Sequence, residues 1–268
     1  MKTNLILAWI LLLGLSNSGY SIDPKKEYAL HPAMWELSYE EFKIVTPDQF
    51  EINTWIINPF GDQNKNKTVV IANTDAGNMG NMLGYALYLA KEGYRVVTFD
   101  YRGFGDSTDF DYSRNNLYHK EYVTDFVSVM NWCKNEYSSD KIGVLAYSMG
   151  TLITAIGFNY SPFDFYIGEG FVLSPLDVKN RILKHKNKEV ILPKSARKDR
   201  KAVKQLDTSI LLFAAENDVI TTEEDAILFC ASRKKANVIS YAGDHLKGVA
   251  TLGMKEYINE IISFLDSN

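Results

Sequence analysis

Serine is a weak nucleophile at neutral pH unless a base is held against its hydroxyl. A hydrolytic serine is therefore recognised by its surroundings. Residues 146–150 read Ala146-Tyr147-Ser148-Met149-Gly150. An apolar run, KIGVLA, precedes them and a helix-forming run, TLITAIG, follows. A strand–turn–helix of this kind gives a G-x-S-x-G elbow its meaning, because the tight turn lifts the hydroxyl clear of the sheet. The positions two before and two after the serine must be small; Ala146 stands at the first and Gly150 at the second. The plainer reading of Ser148 is a helix N-cap, but its flanks favour the nucleophile. With such elbows the acid and then the histidine follow the serine along the chain. Of four histidines, His31 and His119 precede it and His185 lies in the lysine-rich KHKNK. His245 follows the strand-like NVISY within YAGDH, at the strand end where α/β sheets gather functional groups. The acid is expected after SILLFAA, in Glu216-Asn217-Asp218. Asp218 is preferred for its loop reach, with Glu216 as the alternative. Asp244 adjoins the histidine too closely to orient it. In this arrangement Ser148 attacks, His245 moves the proton and Asp218 fixes the tautomer and stabilises the imidazolium.

Acyl transfer also needs backbone N–H donors for the oxyanion. Met149, after the nucleophile, should supply one. The loop Asn73-Thr74-Asp75-Ala76-Gly77-Asn78 should supply the other, from Asp75 by position or from Thr74. The elements that must carry these residues are legible in outline. EFKIVT (41–46) and QFEINTWIIN (49–58) alternate apolar and polar residues and read as antiparallel edge strands with one wet face. After residue 67, short apolar runs (TVVIAN, YRVVTFD, KIGVLAY, EGFVLS, SILLFAA, NVISY) alternate with helical stretches near 80–92, 117–136, 149–159, 222–233 and 248–265. That alternation means βαβ units around a parallel sheet. Residues 23–38 read as a linker.

The stretch from about 40 to 266 resembles the α/β-hydrolase superfamily. Beyond the elbow, the TDAGN loop carries the likeness, together with Phe99-Asp100-Tyr101-Arg102-Gly103-Phe104-Gly105-Asp106-Ser107, which is similar to D-x-R-G-x-G-x-S, and the AEND and GDH pair. The chain is most similar to small bacterial hydrolases and to the branch whose oxyanion loop reads H-G-N-A-G-N; here Asn73 and Thr74 replace His-Gly. The resemblance implies an α/β-hydrolase fold, a mostly parallel sheet of about eight strands flanked by helices, with a cap between the sixth and seventh strands. That position is filled by residues 175–207, which carry eleven Lys or Arg against four Asp or Glu, long enough for a small lid of two or three short helices. A solvated helical face is the simpler account of its charge. As a lid it would favour anionic acyl substrates or a peripheral contact with an anionic membrane.

Composition narrows the remaining classes. A formal net charge of −4 gives no footing for nucleic-acid binding. Gly77-x-x-Gly80 and Gly103-x-Gly105 match neither G-x-G-x-x-G nor a P-loop, and no Cys/His cluster has metal-ligand spacing, so neither a metal nor another cofactor is expected. Lys2 followed by the eleven apolar residues LILAWILLLGL reads as a signal peptide over 1–22, ahead of a domain over 23–268. This implies a secreted or periplasmic protein, or a membrane-anchored one if the segment stays uncleaved. Cys133 and Cys230 sit in helical patterns as buried thiols, with a single bridge the alternative. The expected reaction is cleavage of a carboxylic ester of a small acyl substrate. Thioesterase or lipase-like action is the alternative, and a catalytically weak binding protein of the same fold the reading from another class. A peptidase is disfavoured, as no further domain gates peptide access, and a dehalogenase or epoxide hydrolase would carry an aspartate where Ser148 stands.

Overall fold

The computed structural model describes residues 21–35, 37–61 and 63–268. The signal-peptide reading falls almost wholly outside them. Eight strands form one sheet: β1 Tyr39–Val45, β2 Glu51–Ile57, β3 Lys67–Ala72, β4 Arg95–Phe99, β5 Lys141–Tyr147, β6 Phe165–Glu169, β7 Ser209–Ala215 and β8 Ala236–Tyr241. Their spatial order is β1-β2-β4-β3-β5-β6-β7-β8. Only β2 runs against its neighbours; the remaining pairs are parallel.

The helices are α1 Leu83–Lys91, α2 His119–Glu136, α3 Met149–Gly157, α4 Pro175–Lys186, α5 Ala196–Val203, α6 Glu223–Cys230, α7 Gly248–Leu252 and α8 Met254–Ser267. Alternate strand residues face two separate cores. Val70, Val144, Ala146 and Leu212 pack under α2, α3 and α6, and Val69, Leu145, Ile167 and Phe213 pack under α1 and α8. Burial on both faces is why these strands read as continuous apolar runs rather than alternating ones. The helices bury stripes at the 3–4 residue spacing, such as Tyr122, Phe126, Val129, Met130 and Cys133 of α2. Cys133 and Cys230 are buried free thiols.

Four expectations change. The segment 49–58 is no wet-faced edge strand: β2 lies between β1 and β4, and all but its first residue is buried. Two of its polar groups find partners within the fold, Asn53 Nδ2 donating to Glu41 Oε1 at 2.8 Å and Thr54 Oγ1 to the Ile52 carbonyl at 3.2 Å. The sixth strand ends at Glu169, where EGFVLS was expected to begin it, because Gly170 turns at φ +69° and leads the chain away from the sheet. The last helix is two, broken at Gly253 (φ +86°). The expected linker at 23–38 carries regular structure in part: Asp23–Pro24 pair in parallel with Ala76–Gly77, and Pro32–Trp35 form a 3-10 turn. No helix among the described residues is long and apolar enough to cross a membrane.

Candidate active site

Ser148 sits at the C-terminal end of β5 with φ +49° and ψ −115°. A non-glycine residue in this region costs on the order of 1–3 kcal/mol and persists only where the surroundings dictate it. Here they do. Ser148 N donates to the Glu169 carbonyl at 2.9 Å, and its own carbonyl accepts from Thr151 N at 2.9 Å and from Thr151 Oγ1 at 2.6 Å. A Cβ on Gly150 would lie 2.6 Å from the carbonyl oxygens of both Ala72 and Asn73, so the start of α3 approaches the end of β3 as closely as glycine allows. The alanine at 146 is accommodated because its in-register neighbours, Ala72 and Gly168, are small.

His245 follows β8 and Asp218 follows β7, both at the same edge of the sheet as Ser148. His245 Nε2 lies 3.0 Å from Ser148 Oγ, and His245 Nδ1 lies 2.6 Å from Asp218 Oδ2. The aspartate is itself fixed. Oδ1 accepts from Ile220 N at 2.8 Å and Thr221 N at 3.0 Å, and Oδ2 accepts from the Thr221 hydroxyl at 2.5 Å. Burial alone would raise the Asp218 carboxyl, but hydrogen bonding and charge from His245 hold it below the ordinary carboxylate value. Burial would likewise lower His245, yet the Asp218 hydrogen bond and charge, with Asp75 and Glu169, raise it above the ordinary imidazole value. Glu216, the alternative acid, points to solvent, as does Asp244.

Met149 opens α3, so its N–H lies among those without an intrahelical acceptor. In the facing loop, Thr74 N donates to Asn73 Oδ1 at 2.8 Å, and the Asp75 carboxyl accepts from its own backbone N–H. The Asp75 carbonyl accepts from Asp23 N at 2.8 Å, so the chain just after residue 22 braces this loop. Burial raises the Asp75 carboxyl, against the lowering influence of His245 and Lys188. The 175–207 segment borders the same edge. Arg181 Nη1 of α4 donates to the Ile220 carbonyl at 3.2 Å and to Asp225 Oδ2 at 2.5 Å, while His119 Nδ1 meets Asp199 Oδ2 of α5 at 2.8 Å. The segment folds as two helices.

Three contributors escaped the sequence reading. Thr221 was hidden because hydroxyls in loops are common. Gly170 lies beneath the imidazole, where a Cβ would come 2.8 Å from His245 Cε1. Glu169 had a readable signal: it is a carboxylate inside the otherwise apolar run FYIGEGFVL, and such residues are rarely buried without partners. No cluster among the described residues has the makings of a metal site.

This sheet order, with a nucleophile-type elbow after β5, defines an α/β-hydrolase fold. Solved structures agree: the esterase Pf2001 of Pyrococcus furiosus superposes with a TM-score of 0.73 at 20% identity, covering 94% of this chain and 99% of that one. XC6422 of Xanthomonas campestris, described as an α/β serine hydrolase without lid, gives 0.59 at 13% identity, covering 88% and 94%. A family model described as serine aminopeptidase, S33, matches residues 63–173. Among curated proteins, lysophosphatidylserine lipase ABHD12 of Gallus gallus is 35% identical over 79 residues, 29% of this chain and 19% of that protein, so the likeness spans about a fifth of that relative's length. The chain thus has the α/β-hydrolase fold, and residues 63–173 carry the likeness to the serine aminopeptidase family model.

Proposed function

We propose that this protein is a serine hydrolase that cleaves a carboxylic ester through an acyl-enzyme. The observation that carries the proposal is the continuous chain Ser148 Oγ–His245 Nε2 at 3.0 Å and His245 Nδ1–Asp218 Oδ2 at 2.6 Å, ending on a serine in elbow geometry. Ser148 Oγ attacks the ester carbonyl as His245 Nε2 takes its proton. The tetrahedral oxyanion is met by Met149 N–H and Asp75 N–H. His245 returns the proton to the departing alkoxide, which leaves as the alcohol. Water, deprotonated by the same imidazole, then releases the acid and restores Ser148. Asp218 stays ionised throughout and holds Nδ1–H.

A lipase-like reading, in which the acyl group belongs to an anionic lipid, draws support from two observations. One is the local likeness to a lysophosphatidylserine lipase. The other is the excess of basic residues in 175–207, whose Lys188 sets its charge toward Asp75. This segment then serves as a small lid and as the contact with an anionic membrane. Secretion or export to a periplasm, directed by residues 1–22, fits the same reading.

The test is labelling with a fluorophosphonate probe, wild type against Ser148→Ala, followed by a panel of esters, thioesters and aminoacyl anilides. Labelling that vanishes in Ser148→Ala and turnover of esters above anilides are expected. Folded wild type that takes no label would refute the activated serine and leave a binding protein. Turnover confined to anilides would make the chain a peptidase.

A further inference from the structure

Glu169 stands outside the Ser148–His245–Asp218 chain, yet it touches the supports of both its serine and its histidine. It ends β6 and is 2% exposed. A buried carboxylate is costly unless its lone pairs are filled. Here Oε1 accepts from the Tyr241 hydroxyl at 2.7 Å and from Gly248 N at 2.8 Å, and Oε2 accepts from the Tyr257 hydroxyl at 2.7 Å. Burial raises this carboxyl, and the three hydrogen bonds oppose that rise by favouring the ionised form. They arrive from β8, α7 and α8, and two of them bracket His245: Tyr241 closes the strand before it and Gly248 opens the helix after it. The Tyr241 oxygen also accepts from Lys247 N at 3.2 Å.

The loop between these anchors needs holding, since Leu246, beside the imidazole, lies at φ +56°. A non-glycine residue persists there only when its surroundings over-determine it. On the other side, the Glu169 carbonyl accepts from Ser148 N, and the next residue, Gly170, runs under the imidazole. Even Gly248 fits this account, because a Cβ there would lie 2.9 Å from Glu169 Oε1.

We propose that Glu169 is a positioning residue for His245: its buried carboxylate clamps the 242–247 loop at both ends, through Tyr241 and Gly248, and sets its negative charge behind the imidazole. This rests on the hydrolase reading above. The groups facing Glu169 are the phenols of Tyr241 and Tyr257, the Tyr85 and Tyr147 rings and His245 itself. His245 in turn faces Asp218 and Asp75. Replacing Glu169 by glutamine keeps the shape and one carbonyl acceptor but removes the charge. Replacing it by alanine removes the clamp.

The test follows the His245 ring by NMR titration, assigned with His245→Asn, and measures ester hydrolysis against pH, in wild type, Glu169→Gln and Glu169→Ala. In Glu169→Gln, His245 should titrate at lower pH than in wild type, and the acid limb of kcat/KM should move with it. In Glu169→Ala, kcat should fall about 10²-fold with KM little changed, the loss expected when a reacting group is misplaced by about 1 Å. Loss of a carboxylate that merely stabilised the fold would lower Tm and leave the titration alone. An unshifted His245 titration in folded Glu169→Gln therefore overturns the proposal, and this comparison stands even if the alanine variant does not fold. Wild type that hydrolyses no ester would sink the hydrolase reading instead, while the NMR titration would still decide Glu169.

Discussion

Gly150→Ala tests the geometry of the elbow at its tightest point. The added methyl would lie 2.6 Å from the carbonyl oxygens of Ala72 and Asn73. A carbon rests comfortably about 3.3 Å from a carbonyl oxygen, so α3 and the end of β3 must part by about 0.7 Å. Neither side is a flexible side-chain tip; both are main chain. The displaced pieces are the start of α3, which carries Met149 N–H, and the start of the 73–78 loop, which carries Asp75 N–H. Overpacking of this kind costs about 1–3 kcal/mol of stability, or a Tm lower by about 2–12 °C for a chain of this size.

The effect on rate should be larger. Spoiling one oxyanion donor costs about 10²–10³ in kcat, which corresponds to about 3–4 kcal/mol of transition-state stabilisation. The assay is hydrolysis of a p-nitrophenyl ester, with Tm by differential scanning fluorimetry and fluorophosphonate labelling rate as a second readout. The control is Ala146→Gly, whose neighbours leave room. It should cost about 0.5–1 kcal/mol in stability and leave kcat within about twofold. If Gly150→Ala lost Tm but kept wild-type kcat, oxyanion stabilisation would not come from this pair of donors.

Further outcomes follow from ionisation. Because Asp218, Asp75 and Glu169 raise His245, the acid limb of kcat/KM should lie above the ordinary imidazole value of 6.5, and Asp75→Asn should move it down. The raised imidazole also adds stability that is complete below its unfolded value and is lost as pH rises through its folded value. The lowered Asp218 carboxyl acts in the mirror sense, adding stability above its unfolded value that is lost as pH falls through its folded value. Away from the site, burial pushes the Asp100 carboxyl up to about 7, with the Tyr28 hydroxyl and Met79 N–H as its donors. Tyr28→Phe should cost about 2 kcal/mol, as expected for a hydrogen bond to a charged group, lowering Tm by about 4–8 °C. The loss should be greater at pH 8.5 than at pH 5.5, since only the ionised Asp100 misses its donor; an equal loss at both values would refute this account of Tyr28.

Much of this was legible in the linear chain, for local reasons. An elbow is a contiguous strand–turn–helix, so its serine, its small flanking residues and Met149 are neighbours in sequence. Asp218 and His245 could be chosen because parallel sheets deliver functional groups just past the C-terminal ends of strands, and apolar runs mark those ends. The Asn73–Asn78 loop was chosen the same way, just past an apolar run. Asp218 over Glu216 was a choice of loop reach; the fold buries the first carboxylate against Ile220 N, Thr221 N and the Thr221 hydroxyl and leaves the second in solvent.

Only tertiary structure decides features that depend on residues far apart in the chain. Which strand lies at an edge cannot be read from one strand: 49–58 alternates like an edge strand, yet β1 and β4 enclose it. The segment at 23–38 looks like a linker until Asp23 pairs with the loop that holds Asp75. Glu169 appears in sequence as one carboxylate among apolar residues. Its meaning comes from Tyr241, Gly248 and Tyr257, which lie 72 to 88 residues away and meet it only when β6, β8, α7 and α8 close together. Local chemistry and hydrophobic period are carried by near neighbours, whereas burial, pairing and orientation are properties of contacts that exist only after the chain has folded.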